Sequence, residues 1–300
     1  MIAVITQNIL PIFIVAFFGF ALEKWVNIDK KTLSTVVLYV LSPCLVFSSL
    51  VGSQLPSGEL AELALFAALS ILIMGGIGFV VAKLLHLPRH ETAALLVVIM
   101  FVNGGNYGLT LNQLRYGDPG LARAIVYYTT STLILYTLGI FIASSGELSM
   151  RASLQRLIRF PAVYAAIFAI VVYTTNIIIP RPLMRGIEIA GQGAIPVMIL
   201  VLGAQMASLH GAIDWRLTIP AVGLRLLVGP IVGVLVATFL GLTGLGRSTS
   251  IIETSMPPAV FTIILATSFN LQPTAVTSIV IIATLLSPLT ISAVITLFGL

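Results

Sequence analysis

The sequence predicts an all-α polytopic membrane protein: ten transmembrane helices in two inverted five-helix repeats, with helices four and nine broken and crossed. Three observations carry this prediction. Of 300 residues, 58% are hydrophobic and only 8% charged, with a mean hydropathy of +1.12, whereas a soluble domain carries about 25% charged residues. Ten apolar segments meet or nearly meet the ~20 residues a helix needs to cross hydrocarbon. Residues that disfavour helix interiors recur at corresponding places in segments two and seven, and in four and nine.

The segments are Ile2–Leu22, Leu33–Val51, Leu60–Leu85, Thr92–Leu114, Leu121–Ser144, Leu157–Ile179, Gly186–Leu209, Leu217–Leu240, Ser250–Phe269 and Pro273–Leu300. No Lys or Arg precedes the first, which reads as a transmembrane helix rather than a cleaved signal peptide. The second carries Pro43. The fourth contains FVNGGNYGLT, Phe101 to Thr110, with Asn103, Gly104, Gly105, Asn106 and Gly108. Turn chemistry at Gly117-Asp118-Pro119 leads to the fifth, whose first half holds Tyr127-Tyr128-Thr129-Thr130-Ser131-Thr132. Residues 145–156 are a polar connection between a first repeat, 1–144, and a second, 157–300. Pro180-Arg181-Pro182 precedes the seventh segment, which carries Pro196. The eighth holds Arg225, and the ninth holds Glu253 and Pro257-Pro258 before running almost directly into the tenth. Five spans per half force the second half to be inverted relative to the first.

Basic residues in the connections set the orientation. One side collects nine: Lys24, Lys30, Lys31, Lys83, Arg89, Arg151, Arg156, Arg159 and Arg216. The other collects five: Arg115, Arg123, Arg181, Arg185 and Arg247. The nine-residue side is expected in the cytoplasm, which puts both termini outside it. The basic residues are scattered, so the net charge of +5 is no nucleic-acid signal. Cys44, the single cysteine, can form no intramolecular disulfide.

An interior proline costs ~3 kcal/mol and a glycine ~1 kcal/mol relative to alanine. In lipid, unwound backbone persists only when buried in protein or lining a wet cavity. Paired interruptions in two halves therefore point to a transporter binding site, the alternative being glycines that permit close packing and prolines that merely kink. On the site reading, Asn103, Gly104, Gly105, Asn106, Pro257 and Pro258 form the substrate site, with half-helix N-termini suited to an anion. Pro43 and Pro196 mark the remaining breaks. Glu253 reads as a sodium or proton ligand, or as a side chain solvated near the interface. Asn106, Thr130 and Ser131 could complete such a cation site, against the reading in which hydroxyls bond their own helix backbone. Arg225 could draw in an anion, pair with Glu253, or bond the carbonyls of a broken helix; its rigid fork suits the last, structural role. Tyr107 and Tyr136 read as packing residues. His86, His90 and His210 have no metal-ligand spacing, so no metal beyond sodium and no other cofactor is expected.

No aspartyl pair lies in the spans, since Asp29, Asp118 and Asp214 fall in connections. There is no His-Glu-x-x-His helix and no Gly-x-Ser-x-Gly elbow, which speaks against an enzyme. A channel usually shows a repeated filter or rings of like charge.

NGGNYGL in the fourth span resembles the Asn-x-x-x-x-Gly-Leu stretch of the auxin efflux carrier family. SMPPAVFTIILATSFNLQPTAV (Ser255 to Val276) resembles that family's ninth span, and RLLVGPIVG (Arg225 to Gly233) its eighth. Pro43 and Pro196 fit its second and seventh. The resemblance implies ten helices divided between a scaffold and a transport domain, crossing broken helices, a fold shared with bile-acid sodium symporters, and transport of organic anions bound at the crossover. Auxin carriers place proline where this chain has Val102, so glycines must open the fourth span. They tend to have glutamine where this chain has Glu253; sodium-coupled bile-acid symporters use a glutamate there. Together these imply an alternating-access carrier of a small carboxylate in a bacterial-type inner (plasma) membrane, or alternatively a sodium-coupled symporter of bile-acid-like or other amphipathic anions. The expected partners are that anion and membrane lipid, with a homodimer as the oligomer.

Overall fold

The computed structural model describes residues 5–52, 55, 57–144, 161–175, 177–207 and 213–300. The connection expected at 145–156 lies outside them, as do the first residues of the expected second repeat and His210. In order the helices are α1 (Ile5–Val26), α2 (Lys30–Gly52), α3 (Ser57–Leu84), α4 (Arg89–Met100), α5 (Gly104–Ala143), α6 (Pro161–Thr175), α7 (Arg181–Met206), α8 (Trp215–Phe239), α9 (Gly244–Thr254), α10 (Phe261–Ser268) and α11 (Pro273–Phe298).

Local chemistry explains several boundaries. Asp29 caps α2, accepting from the Lys31 N–H at 3.0 Å and the Thr32 N–H at 3.3 Å. Its bonds to Thr32, side chain foremost, hold its carboxyl below the usual carboxylate range. Asp214 caps α8 through the Arg216 N–H at 3.0 Å. Pro273 stands in the first turn of α11, where a missing N–H costs nothing. Gly117, at φ 65°, makes the turn within α5 that Gly117-Asp118-Pro119 predicts.

Among the described residues, seven helices are long and apolar enough to cross a membrane: α1, α2, α3, α5, α7, α8 and α11. The expected fourth and ninth spans are each divided in two, so their pieces α4, α9 and α10 are 12, 11 and 8 residues long. The ninth begins at Gly244 rather than Ser250, which brings Arg247 inside α9. Asn270 (φ 51°) and Gln272 (φ 47°) separate the ninth from the tenth. Large apolar side chains face outward, among them Phe17, Phe18, Phe168 and Phe239, as a lipid-facing surface requires.

The helices pack as two groups. In one, α1, α2, α6 and α7 lie against each other; in the other, α3, α4, α5, α8, α9 and α11. Gly19 and Gly203 let α1 and α7 touch backbone to backbone, because a Cβ at either would strike the other helix's main chain at Leu200 or Ala16. The seam between the groups holds the candidate site.

Candidate functional site

Val102 and Pro258 form an antiparallel bridge between the two interrupted spans. The Asn103 N–H donates to Pro257 O at 2.8 Å, and the Ala259 N–H donates to Phe101 O at 2.8 Å. Four half-helix ends therefore meet: the C-termini of α4 and α9, and the N-termini of α5 and α10. The glycines open the fourth span without a proline, and Val102 supplies its half of the bridge.

Arg225 lies in a π-helical turn of α8 and is 1% exposed. Its two terminal nitrogens donate to Ile99 O and Thr254 O, one carbonyl from the last turn of each C-terminal end. A cation at helix C-termini also opposes the negative end of the macrodipole. The structure thus gives Arg225 the carbonyl-bonding position and no bond to Glu253.

The N-terminal ends are treated differently. They open on a cleft of about 120 Å³ whose wall includes Phe101 to Asn106, Tyr128, Ser131, Thr132, Tyr136, Gln205 and Ala259 to Phe261, with no Lys, Arg, His, Asp or Glu. At α5 the first-turn amides of Gly104, Gly105 and Asn106 have no intrahelical carbonyl to donate to, whereas at α10 the Thr262 and Ile263 N–H groups donate to Ala259 O and Val260 O, both at 3.0 Å. Asn103 stands at the N-cap of α5, yet its side chain makes no capping bond, and its Nδ2 is buried without a partner. Aromatic rings cover part of the wall: the Tyr136 and Phe261 rings lie 5.3 Å apart, and the Tyr128 ring packs on Gly105. A second crevice, about 630 Å³, lies along the same seam toward Asp118, Arg123 and Glu188, and reaches Pro196.

Glu253 is fully buried, which removes the interfacial, solvated reading. Asn112 Nδ2 donates to Glu253 Oε1 and to Gly108 O, both at 3.0 Å. Glu253 Oε2 and Asn112 Oδ1 have no partner. The carboxyl lies against Gly104 and Gly108; a Cβ at Gly104 would stand 2.7 Å from Oε2, and one at Gly108 would overlap the carboxyl.

The structure brings Asn103, Gly104, Gly105 and Asn106 together with the segment after Pro257-Pro258. It does not gather Glu253, Asn106, Thr130 and Ser131 at one point. Asn106 and Ser131 are on the cleft wall, Glu253 and Thr130 are not, and the Thr130 hydroxyl donates to Val126 O at 2.9 Å. Pro43 and Pro196 also differ from the expected breaks: α2 and α7 run on through them, with a π-helical turn at Val37–Leu41 and a turn at Gly193 just upstream. Tyr107 is a core residue, fully buried and edge-on to Phe13, whereas Tyr136 belongs to the cleft. Asn112 and Gln205 were missed by sequence reasoning. An amide inside an apolar span is itself a signal, and Asn112 follows Gly108 by one helical turn.

A sequence model of the membrane transport protein family matches residues 4–152 and, a second time, residues 147–295. The chain belongs to this family, that of the auxin efflux carriers. It is 27% identical over 293 residues to an uncharacterised transporter of Methanothermobacter thermautotrophicus, covering 94% of each chain. It is 23% identical over 273 residues to another from Methanocaldococcus jannaschii, covering 87% of each.

Proposed function

We propose that this family member is a secondary active transporter of a small organic anion, a carboxylate, working by alternating access with the anion held at the crossover. One observation carries the reading: two half-helix N-termini open on a single cleft that has no charged side chain, while the matching C-termini are neutralised by Arg225. Each N-terminus is equivalent to roughly half a positive charge. Two of them, with the Asn103 amide, suit one carboxylate.

The same reading takes the chain as ten crossings in two inverted repeats. The family model's two matches support it, since each contains one of the broken spans. The α1, α2, α6 and α7 group is then the scaffold, and the group containing the crossover moves against it. The small cleft and the larger crevice, on either side of the crossover, are the two access routes. Both termini lie outside the cytoplasm, and the apolar outer surface meets lipid. The aromatic cleft wall and the buried Glu253 favour a second reading, a cation-coupled symporter of amphipathic anions. Import against an inside-negative potential costs ~2.3 kcal/mol per charge per 100 mV, which one co-transported cation cancels.

Counterflow of labelled small carboxylates in proteoliposomes tests the proposal. Saturable counterflow is expected, with Asn103→Ala and Asn106→Ala weakening affinity about tenfold, the equivalent of one lost hydrogen bond, without altered folding. Non-saturable flux would indicate a channel, and no movement of any carboxylate would end the carrier reading.

A further inference from the structure

We propose that the Glu253 carboxyl carries a proton, and that this proton, rather than a sodium ion, tunes anion binding at the crossover. The inference rests on the anion reading of the cleft and deepens it.

The first argument counts hydrogens. Glu253 Oε1 accepts from Asn112 Nδ2, and that amide is held in its orientation because the same nitrogen also donates to Gly108 O. Two acceptors, Glu253 Oε2 and Asn112 Oδ1, are left buried with no donor. The site lacks hydrogen, and a proton on the carboxyl supplies one. No ion pair reaches Glu253 among the described residues.

The second argument is the surroundings. Of the elements packed on α9, α5 contributes Tyr127 and Asn112, and Tyr107 lies in its first turns, buried against Phe13. Arg225 of α8 gives both terminal nitrogens to Ile99 O and Thr254 O, and its Nε, without a partner, does not bond Glu253. The ionisable residues of α3 are Glu59, Glu62 and Lys83, in its end regions; α11 has none. None of these gives the carboxyl a bonded positive partner. A sodium ion needs a shell of oxygens, as hard cations do. Yet Gly104 and Gly108 close one side of the carboxyl, and Asn106, Ser131 and Thr130 do not join Glu253.

The third argument joins the two sites. Gly104 lines the cleft and also backs the carboxyl. The positive end of α5 thus lies between the cleft and Glu253. An ionised carboxylate there would offset that partial charge and repel an anion; a neutral one leaves it for the anion. Proton and anion binding then reinforce each other, by the same factor in both directions. The proton comes from water and returns to it, and no other bond changes.

Infrared difference spectra of the protein in lipid, wild type against Glu253→Gln, decide this. A protonated-carboxyl stretching band is expected at neutral pH in the wild type and not in Glu253→Gln. It should be unchanged when sodium replaces choline. With benzoate as the probe anion it should persist to about one pH unit higher, a tenfold linkage. Asn112→Leu, which removes the donor to Oε1, should also carry the band to higher pH. A carboxylate without that band at neutral pH, or a band lost on adding sodium, overturns the proton. A band that ignores benzoate, although benzoate moves in counterflow, overturns the coupling. If the band is present but no carboxylate moves, the proton stands and the anion reading falls.

Discussion

Two pairs of helices carry breakers at matching places, and only one pair opens. In α2 and α7 the backbone is repaired within the helix. Upstream of Pro43 the Ser42 N–H reaches back five residues to Val37 O, and beside Pro196 the Val197 N–H bonds Gly193 O at 3.3 Å. In the fourth and ninth spans several of the freed groups are satisfied by another part of the chain, and the rest face the cleft. Asn103 and Ala259 donate across the bridge, and Arg225 takes Ile99 O and Thr254 O. A proline removes one hydrogen bond and its ring crowds the preceding turn, which bends a helix. Opening one in a membrane needs external partners for every group released. The breaker residue sets where a helix is weak; its neighbours decide whether it parts.

The comparison breaks most severely at Arg225. Arg225→Leu leaves two buried carbonyls without donors at about 1–3 kcal/mol each, so a loss of roughly 2–6 kcal/mol is expected by the same principle. Thermal unfolding in micelles would read it. Arg225→Lys should recover only part, because one ammonium cannot reproduce the fork that spans both carbonyls. An unchanged midpoint in Arg225→Leu would mean that the crossover holds without its cap.

Next is Gly108→Ala. The added methyl meets the Glu253 carboxyl, and overpacking of this kind costs about 1–3 kcal/mol. Glu253→Ala makes the room, so the double variant should lose less than the two single losses summed, a coupling that a double-mutant cycle measures. Strict additivity would show that the carboxyl does not lie against that glycine.

Much of this was legible beforehand. Composition announces a membrane protein, and NGGNYG and Pro257-Pro258 locate the crossover to within a few residues, because few other stretches of an apolar span need to leave the helix. Arg225's role followed from its depth and its fork. What could not be read is three-dimensional: whether a kinked helix parts, which side of a helix Glu253 faces, and that Asn112 would meet it across 141 positions. Thr130 and Ser131 illustrate the limit. They are adjacent in sequence, but one bonds its own backbone and the other faces the cleft, a difference that only the packed helix fixes.

The smallest effect is expected at the prolines that do not open their helices. Pro43→Ala and Pro196→Ala should each change stability by no more than about 1 kcal/mol, since the gain in helix propensity is opposed by the greater freedom of the unfolded chain. Their consequence should be kinetic. Pro196 lines the larger crevice, and straightening α7 there alters one face of the seam along which the two helix groups would slide. On the proposed function, counterflow rate should therefore fall several-fold in Pro196→Ala while affinity for the proposed anion stays within about twofold, a change worth about 0.4 kcal/mol. Pro257→Ala gives the contrasting result. It removes one of the two adjacent prolines that interrupt the ninth span and loosens the bridge in which Ala259 donates to Phe101 O, so affinity itself should drop. If Pro196→Ala weakens binding as much as Pro257→Ala does, the seventh helix takes part in holding the anion, and the distinction between kinked and opened helices fails as a guide to the site.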